Sequence, residues 1–107
     1  MPSRRETIEA MLAEQPEDSF LRYSLALELE KEGRHDESLA GLRGLMADEP
    51  PYTAAFFRAG QQLAQLGRLA EARAALRGGI EAARRQNDLH AAGEMSEFLA
   101  SLGMLGE

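Results

Sequence analysis

Apolar residues recur along this chain at three- and four-residue intervals, and glycine or proline breaks the pattern at regular places. Ile8, Met11 and Leu12 share a helical face behind Ser3 and Glu6, whose spacing is that of a capping box, and Pro16 stops the run. Asp18 or Ser19 can cap a second helix, in which Leu21, Leu25, Ala26 and Leu29 line one side before Gly33 supplies a left-handed end. A third begins near His35 and carries Leu39, Leu42, Leu45 and Met46 towards Asp48. Pro50 and Pro51 then forbid continuation, because neither has a backbone N–H to donate. Phe56, Ala59, Gly60 and Leu63 mark a fourth helix before Gly67, and Leu69, Ala72, Leu76 and Ile80 a fifth after it. No proline closes the fifth, which runs on through Glu81 to Arg84 and Arg85, cations well placed against the negative end of the helix dipole. Asn87 or Asp88 caps a sixth. Alternating Val, Ile or Thr is missing, so the fold class is all-α with about six helices.

The pattern also repeats. Gly33-Arg34 and Gly67-Arg68 stand 34 residues apart, and the same offset carries Leu29 onto Leu63, Glu37 onto Glu71, Ala40 onto Ala74, and Leu42-Arg43-Gly44 onto Leu76-Arg77-Gly78. One helical hairpin is written twice. Leu99 to Gly103 reads like Leu63 to Gly67 displaced by 36 residues, the first half of a third unit; a slightly longer preceding helix produces that offset. Pro16 and Ile8 lie 34 residues before Pro50 and Leu42, which makes the opening helix the second half of a preceding unit. A period of this length is the signature of a stacked-helix solenoid, in which each unit covers an apolar face that its neighbour cannot cover alone. The expected layout is one domain over 1–107: a half-repeat helix at 3–15, repeats at 19–52 and 53–86, and a half-repeat capping helix at 88–103. Small residues, Ala26 with Ser38 and Gly60 with Ala72, would let paired helix backbones approach, while Leu42 and Leu76 fill the core. Gly41, Gly44 and Gly78 read as weak points on an outer helical face, through repeat divergence or for close contact in a dimer.

These residues resemble the tetratricopeptide repeat family, whose first helix wants a bulky residue, then Leu, Gly or Ala, and an aromatic or Leu, and whose second wants Ala, a bulky residue, Ala and Pro. The second unit supplies Phe56, Ala59, Gly60, Leu63, Gly67, Ala72 and Leu76, and departs at Gly79 and Arg84. The first supplies Leu25, Ala26, Leu29, Gly33, Leu42 and Pro50, and departs at Arg22, Ser38 and Leu45. The resemblance implies a short right-handed solenoid of antiparallel hairpins that binds a partner on a concave groove lined by the first helices. Its groove positions fall on Phe20, Tyr23, Ser24, Leu27 and Lys31, on Ala54, Phe57, Arg58 and Gln61, and on His90, Glu94 and Glu97. The family's clamp for a C-terminal carboxylate is not matched, because Tyr23, Leu27 and Phe57 stand at its key places. The implied function is a non-catalytic interaction module, an adaptor, scaffold or chaperone-like protein. An apolar partner segment would rest on Phe20, Tyr23, Leu27 and Phe57, oriented by Arg58 and by Glu94 or Glu97. Two alternatives stand beside it. The four apolar residues could pack within the hairpins, or a second copy or the Met104-Leu105 tail could fill the groove, giving a monomer or a weak homodimer.

Composition narrows the chemistry. The 107 residues, 44% of them hydrophobic, suffice for one core. The net charge of -6 is unevenly held: residues 1–50 carry 12 acids and 6 bases, and the remainder 6 of each. That field repels phosphate backbones, and two of the six aromatic residues lie beyond position 56, so nucleic acid is not an expected partner. There is no cysteine, no apolar run of membrane length and no apolar core to a leader within Met1 to Glu14, which points to a cytoplasmic protein with no membrane contact. His35 and His90 lack metal-ligand spacing, so neither metal nor cofactor is expected. Arg73, Arg77 and Arg84 recur along one helix, but Glu81 interrupts them, and they read as a solvated face. No nucleophile, base and orienting group occur in a recognisable catalytic spacing, and no serine stands next to a plausible base, which argues against an enzyme.

Overall fold

The computed structural model describes residues 1–103, in which the chain forms six helices and no strand. They fall into two compact units that meet in sequence at Pro50 and Pro51. The Met104-Leu105 tail lies outside the described residues.

The first unit holds α1 (Arg4–Glu14), α2 (Ser19–Lys31) and α3 (His35–Met46). The capping box at the start of α1 closes as its spacing requires: the Ser3 hydroxyl accepts from the Glu6 N–H at 3.1 Å, and the Ser3 N–H donates to the Glu6 carboxylate at 2.8 Å. Of the two candidates for the start of α2, Asp18 is the cap, accepting from the Leu21 N–H at 2.9 Å. At the other end Gly33 takes φ +78°, so that its N–H reaches the Glu30 carbonyl and the Arg34 N–H reaches the Leu29 carbonyl. This pair of bonds satisfies two orphan carbonyls and turns the chain into α3. Between α2 and α3 lie Ala26, Leu39, Leu42 and Leu45, all buried. The expected small pair is fastened as well as close, since the fully buried Ser38 hydroxyl donates to the Ala26 carbonyl at 2.7 Å. Helix α1 packs on α2 with Ile8 buried, while Arg4 meets Glu28 at 3.3 Å and Arg5 meets Glu32 at 2.9 Å.

The second unit holds α4 (Thr53–Gln65), α5 (Leu69–Arg85) and α6 (Leu89–Gly103). Gly67, at φ +78°, repeats the corner of Gly33 bond for bond, with Arg68 donating to Leu63. The Arg that follows each glycine also has a fixed task. Arg34 forks onto Glu37 and Arg68 onto Glu71, each three residues on, at 2.7–2.9 Å. Helix α5 does run on to Arg85 and has 17 residues against 12 in α3. It ends at a third corner of the same kind, made without glycine: Asn87 takes φ +60°, its N–H reaches Arg84, and the Asp88 N–H reaches the Ala83 carbonyl. Asp88 in turn accepts from the Ala91 N–H at 3.1 Å. Asn87 thus ends α5 and Asp88 starts α6. Asparagine tolerates this conformation and a β-branched residue does not. Asn87→Val is therefore expected to lower stability by about 1–2 kcal/mol, and Asn87→Gly to leave it within about 0.5 kcal/mol, in chemical denaturation.

The core of this unit is built from Phe56, Ala59, Leu63, Ala72, Leu76, Ile80, Ala83, Met95 and Leu102. Its glycines correct the sequence reading. A Cβ on Gly60 would stand 2.7 Å from Cγ and Cδ2 of Leu76, so Gly60 makes room for that leucine. A Cβ on Gly79 would stand 2.5 Å from both Phe56 Cβ and Met95 Sδ. Gly41, Gly44 and Gly78 do not lie on an outer face. They are half-buried inside their own hairpins, where an added Cβ would meet Ala26 at 3.7 Å, Arg22 at 3.3 Å and Phe56 at 3.3 Å respectively.

Glu6 and Glu37 are held below the ordinary carboxylate range, Glu6 first by the hydrogen bond from the Ser3 backbone and Glu37 first by that from Arg34. Lowered carboxylates contribute stability that is complete above their unfolded values and is lost as pH falls through the folded ones. Acidification below about pH 4 should therefore loosen the first turn of α1 and the corner entering α3, read as faster hydrogen exchange there ahead of the core.

Candidate functional site

The residues expected to line a groove divide between the units. In the first unit, Phe20, Tyr23, Ser24, Leu27 and Lys31 follow the three- and four-residue spacing that puts them along one side of α2. Phe20 is open, with 66% of its surface exposed, whereas Tyr23, Ser24 and Leu27 are half-buried. Lys31 is exposed and pairs with Glu28 at 3.1 Å.

In the second unit Ala54 is exposed, and Phe57, Arg58 and Gln61 are half-buried on α4. His90, Glu94 and Glu97 are exposed on α6. The Phe57 ring meets the Phe98 ring with centroids 5.9 Å apart and planes tilted by 59°, within the range that favours the edge of one ring against the face of another. Around this pair lies a depression of about 330 Å³ lined by Phe57, Glu94, Glu97, Phe98 and Ser101. Three expected residues, Phe57, Glu94 and Glu97, are thus brought together, and Arg58 and Gln61 are not among the lining. Glu94 lies 3.5 Å from His90, one turn earlier, and Ser101 donates its hydroxyl to the Phe98 carbonyl at 2.6 Å.

Phe98 and Ser101 join the lining from outside the repeat-derived groove positions. The offset of 36 residues that carries groove positions from α4 to α6 takes Gln62 to 98, and Gln62 is fully buried. The available signal was local: 94, 97, 98 and 101 lie on one helical face, so an aromatic residue there shares the side of the two glutamates.

A second depression, of about 420 Å³, is lined by Arg77, Ile80, Glu81, Arg84 and Ser96. Arg73, half-buried, is not in it. Among the described residues no group of His, Cys, Asp and Glu is arranged to hold a metal ion, and no helix is long and apolar enough to cross a membrane. What the Phe57–Phe98 face offers chemically is an apolar floor with an anionic rim.

The chain is therefore an all-α protein of helical hairpins closed by left-handed corners, with an aromatic and acidic depression on its second unit. Among solved structures it is similar to protein BPP2914 from Bordetella parapertussis, known from a solution structure, at 31% sequence identity over 97% of this chain and 90% of that one, with a TM-score of 0.81. At that identity and coverage the chain belongs to the same family as the Bordetella protein. No family model and no curated protein matches the sequence.

Proposed function

We propose that the protein is a non-catalytic interaction module of the tetratricopeptide-repeat kind, its hairpins stacked as a short solenoid, which acts in the cytoplasm as an adaptor, scaffold or chaperone-like protein. It takes a partner peptide or helix on the face that carries Phe57 and Phe98. The observation that supports this reading most directly is the pairing of two partly exposed aromatic rings beside an open depression, on helices that rigid corners hold in place. Aromatic side chains in such surroundings are the usual energetic centres of protein contacts. The repeat reading draws support from the corners at Gly33 and Gly67, which use the same bonds and the same Arg–Glu fork.

The test is selection from a random peptide library displayed on phage. Peptides recovered on the wild type should bind Phe98→Ala at least tenfold more weakly, about 1.4 kcal/mol, while the helical circular dichroism of the variant is unchanged. Peptides that bind both proteins alike would remove the site. A second reading, pairing of two copies, is favoured by the open Phe20 beside Tyr23 and Leu27 in the first unit. Light scattering distinguishes it, because a pairing surface gives a dimer that Phe20→Ser dissolves.

A further inference from the structure

Resting on that reading, we infer that the Phe57–Phe98 site selects a cationic side chain, arginine or lysine, presented by an otherwise apolar partner peptide. The rings supply the first half of the argument. An aromatic face is the negative part of a quadrupole and its edge the positive part, so an ammonium or guanidinium seated over the face of either ring in this depression is attracted. The alkyl stem of either residue packs against the same carbon surface while its charged end reaches the rim.

The rim supplies the second half. Helix α6 carries two carboxylates, Glu94 and Glu97, and no lysine or arginine. Among the described residues Glu97 makes no ion pair and Glu94 meets only His90, so both carboxylates remain available to an incoming charge. Elsewhere in the chain an arginine sits beside a glutamate, as Arg34 does with Glu37, Arg68 with Glu71 and Arg85 with Glu81. The acids and bases of residues 51–107 balance, six of each, so the attraction for a cation at this site comes from the two rim carboxylates themselves. A peptide carboxylate would meet Glu94 and Glu97 as like charges. The space, about 330 Å³, fits one long side chain with its flanking backbone.

The test uses the full chain and amide chemical-shift titration with four acetylated, amidated pentapeptides: Gly-Leu-Arg-Leu-Gly and its lysine, norleucine and glutamate counterparts at the centre. The arginine and lysine peptides should shift the amides of Phe57, Phe98 and Ser101. The norleucine peptide should bind at least tenfold more weakly, and the glutamate peptide should leave those amides unmoved. The double substitution Glu94→Gln with Glu97→Gln should reduce arginine-peptide binding at least tenfold and leave norleucine-peptide binding as it was. Equal binding of the arginine and norleucine peptides, or no response to the double substitution, overturns the choice of a cation while peptide binding itself stands. If none of the four peptides moves these amides, the peptide-binding role of the face falls and the cation preference with it.

Discussion

Leu76→Ala should lower the stability of the folded chain by about 2–5 kcal/mol, and Gly60→Ala should change sign in its presence. Leu76 is fully buried, and its branch atoms lie where a side chain on Gly60 would begin, 2.7 Å away. In the wild type the methyl of Gly60→Ala must push Leu76 aside. That overpacking costs about 1–3 kcal/mol and outweighs the gain of about 1 kcal/mol from alanine in a helix. Once Leu76 has been cut back to alanine, the same methyl enters the cavity left behind, and both contributions stabilise. Urea denaturation of the four proteins in this cycle measures the coupling, which should exceed about 1 kcal/mol. Additive effects would mean that Gly60 and Leu76 do not share this space. The first unit solves the same problem otherwise: Ala26 stands at the position of Gly60 and Leu42 at that of Leu76, and the Ser38 hydroxyl fastens the Ala26 carbonyl instead.

What the amino-acid order disclosed about this fold follows from which side chains leave a trace in a pattern. Breakers and caps do. Pro16, Gly33, Gly67 and the Ser3–Glu6 pair locate helix ends because each answers a specific need of the backbone, a missing donor, a positive φ or an orphan N–H. The third corner was half visible, since Asn87 and Asp88 suit the same junction and only the φ of Asn87 separates their roles. Glycine inside a helix leaves no such trace. It neither extends an apolar stripe nor interrupts one, so Gly41, Gly44 and Gly78 could be assigned to the outside although they face Ala26, Arg22 and Phe56. The site shows the same division. The repeat offset brought Phe57, Glu94 and Glu97 to one place, because helices of the same phase present the same face. It hid Phe98, because its counterpart Gln62 is buried, and phase along a helix does not reveal what covers it.

Gly79 gives the sharpest contrast. Gly79→Ala should destabilise the protein by about 1–2 kcal/mol and Gly79→Val by roughly 3 kcal/mol or more, whereas Gly93→Ala should stabilise it by about 0.5–1 kcal/mol. All three remove a flexible residue from a helix interior, which by itself favours folding. Surroundings decide the sign. A Cβ on Gly93 has nothing within 4 Å, so only the propensity gain remains. A Cβ on Gly79 would lie 2.5 Å from Met95 Sδ and 2.5 Å from Phe56 Cβ, with Phe56 Cγ at 3.1 Å. The methionine is flexible and can turn away, but Phe56 Cβ is tied to the backbone of α4, so α4 and α5 must separate. Valine adds two methyl groups to that conflict and loses rotamer freedom in the helix. Because Phe57 is the next residue on α4 and Phe98 lies one turn beyond Met95 on α6, the strain should reach the aromatic depression as well. On the proposed reading of that face as a peptide site, binding by Gly79→Ala should then weaken under conditions where the variant is fully folded, while Gly93→Ala should bind as the wild type does. A melting temperature raised by both alanine substitutions would show that the bare backbone at Gly79 does not set the spacing of these three helices.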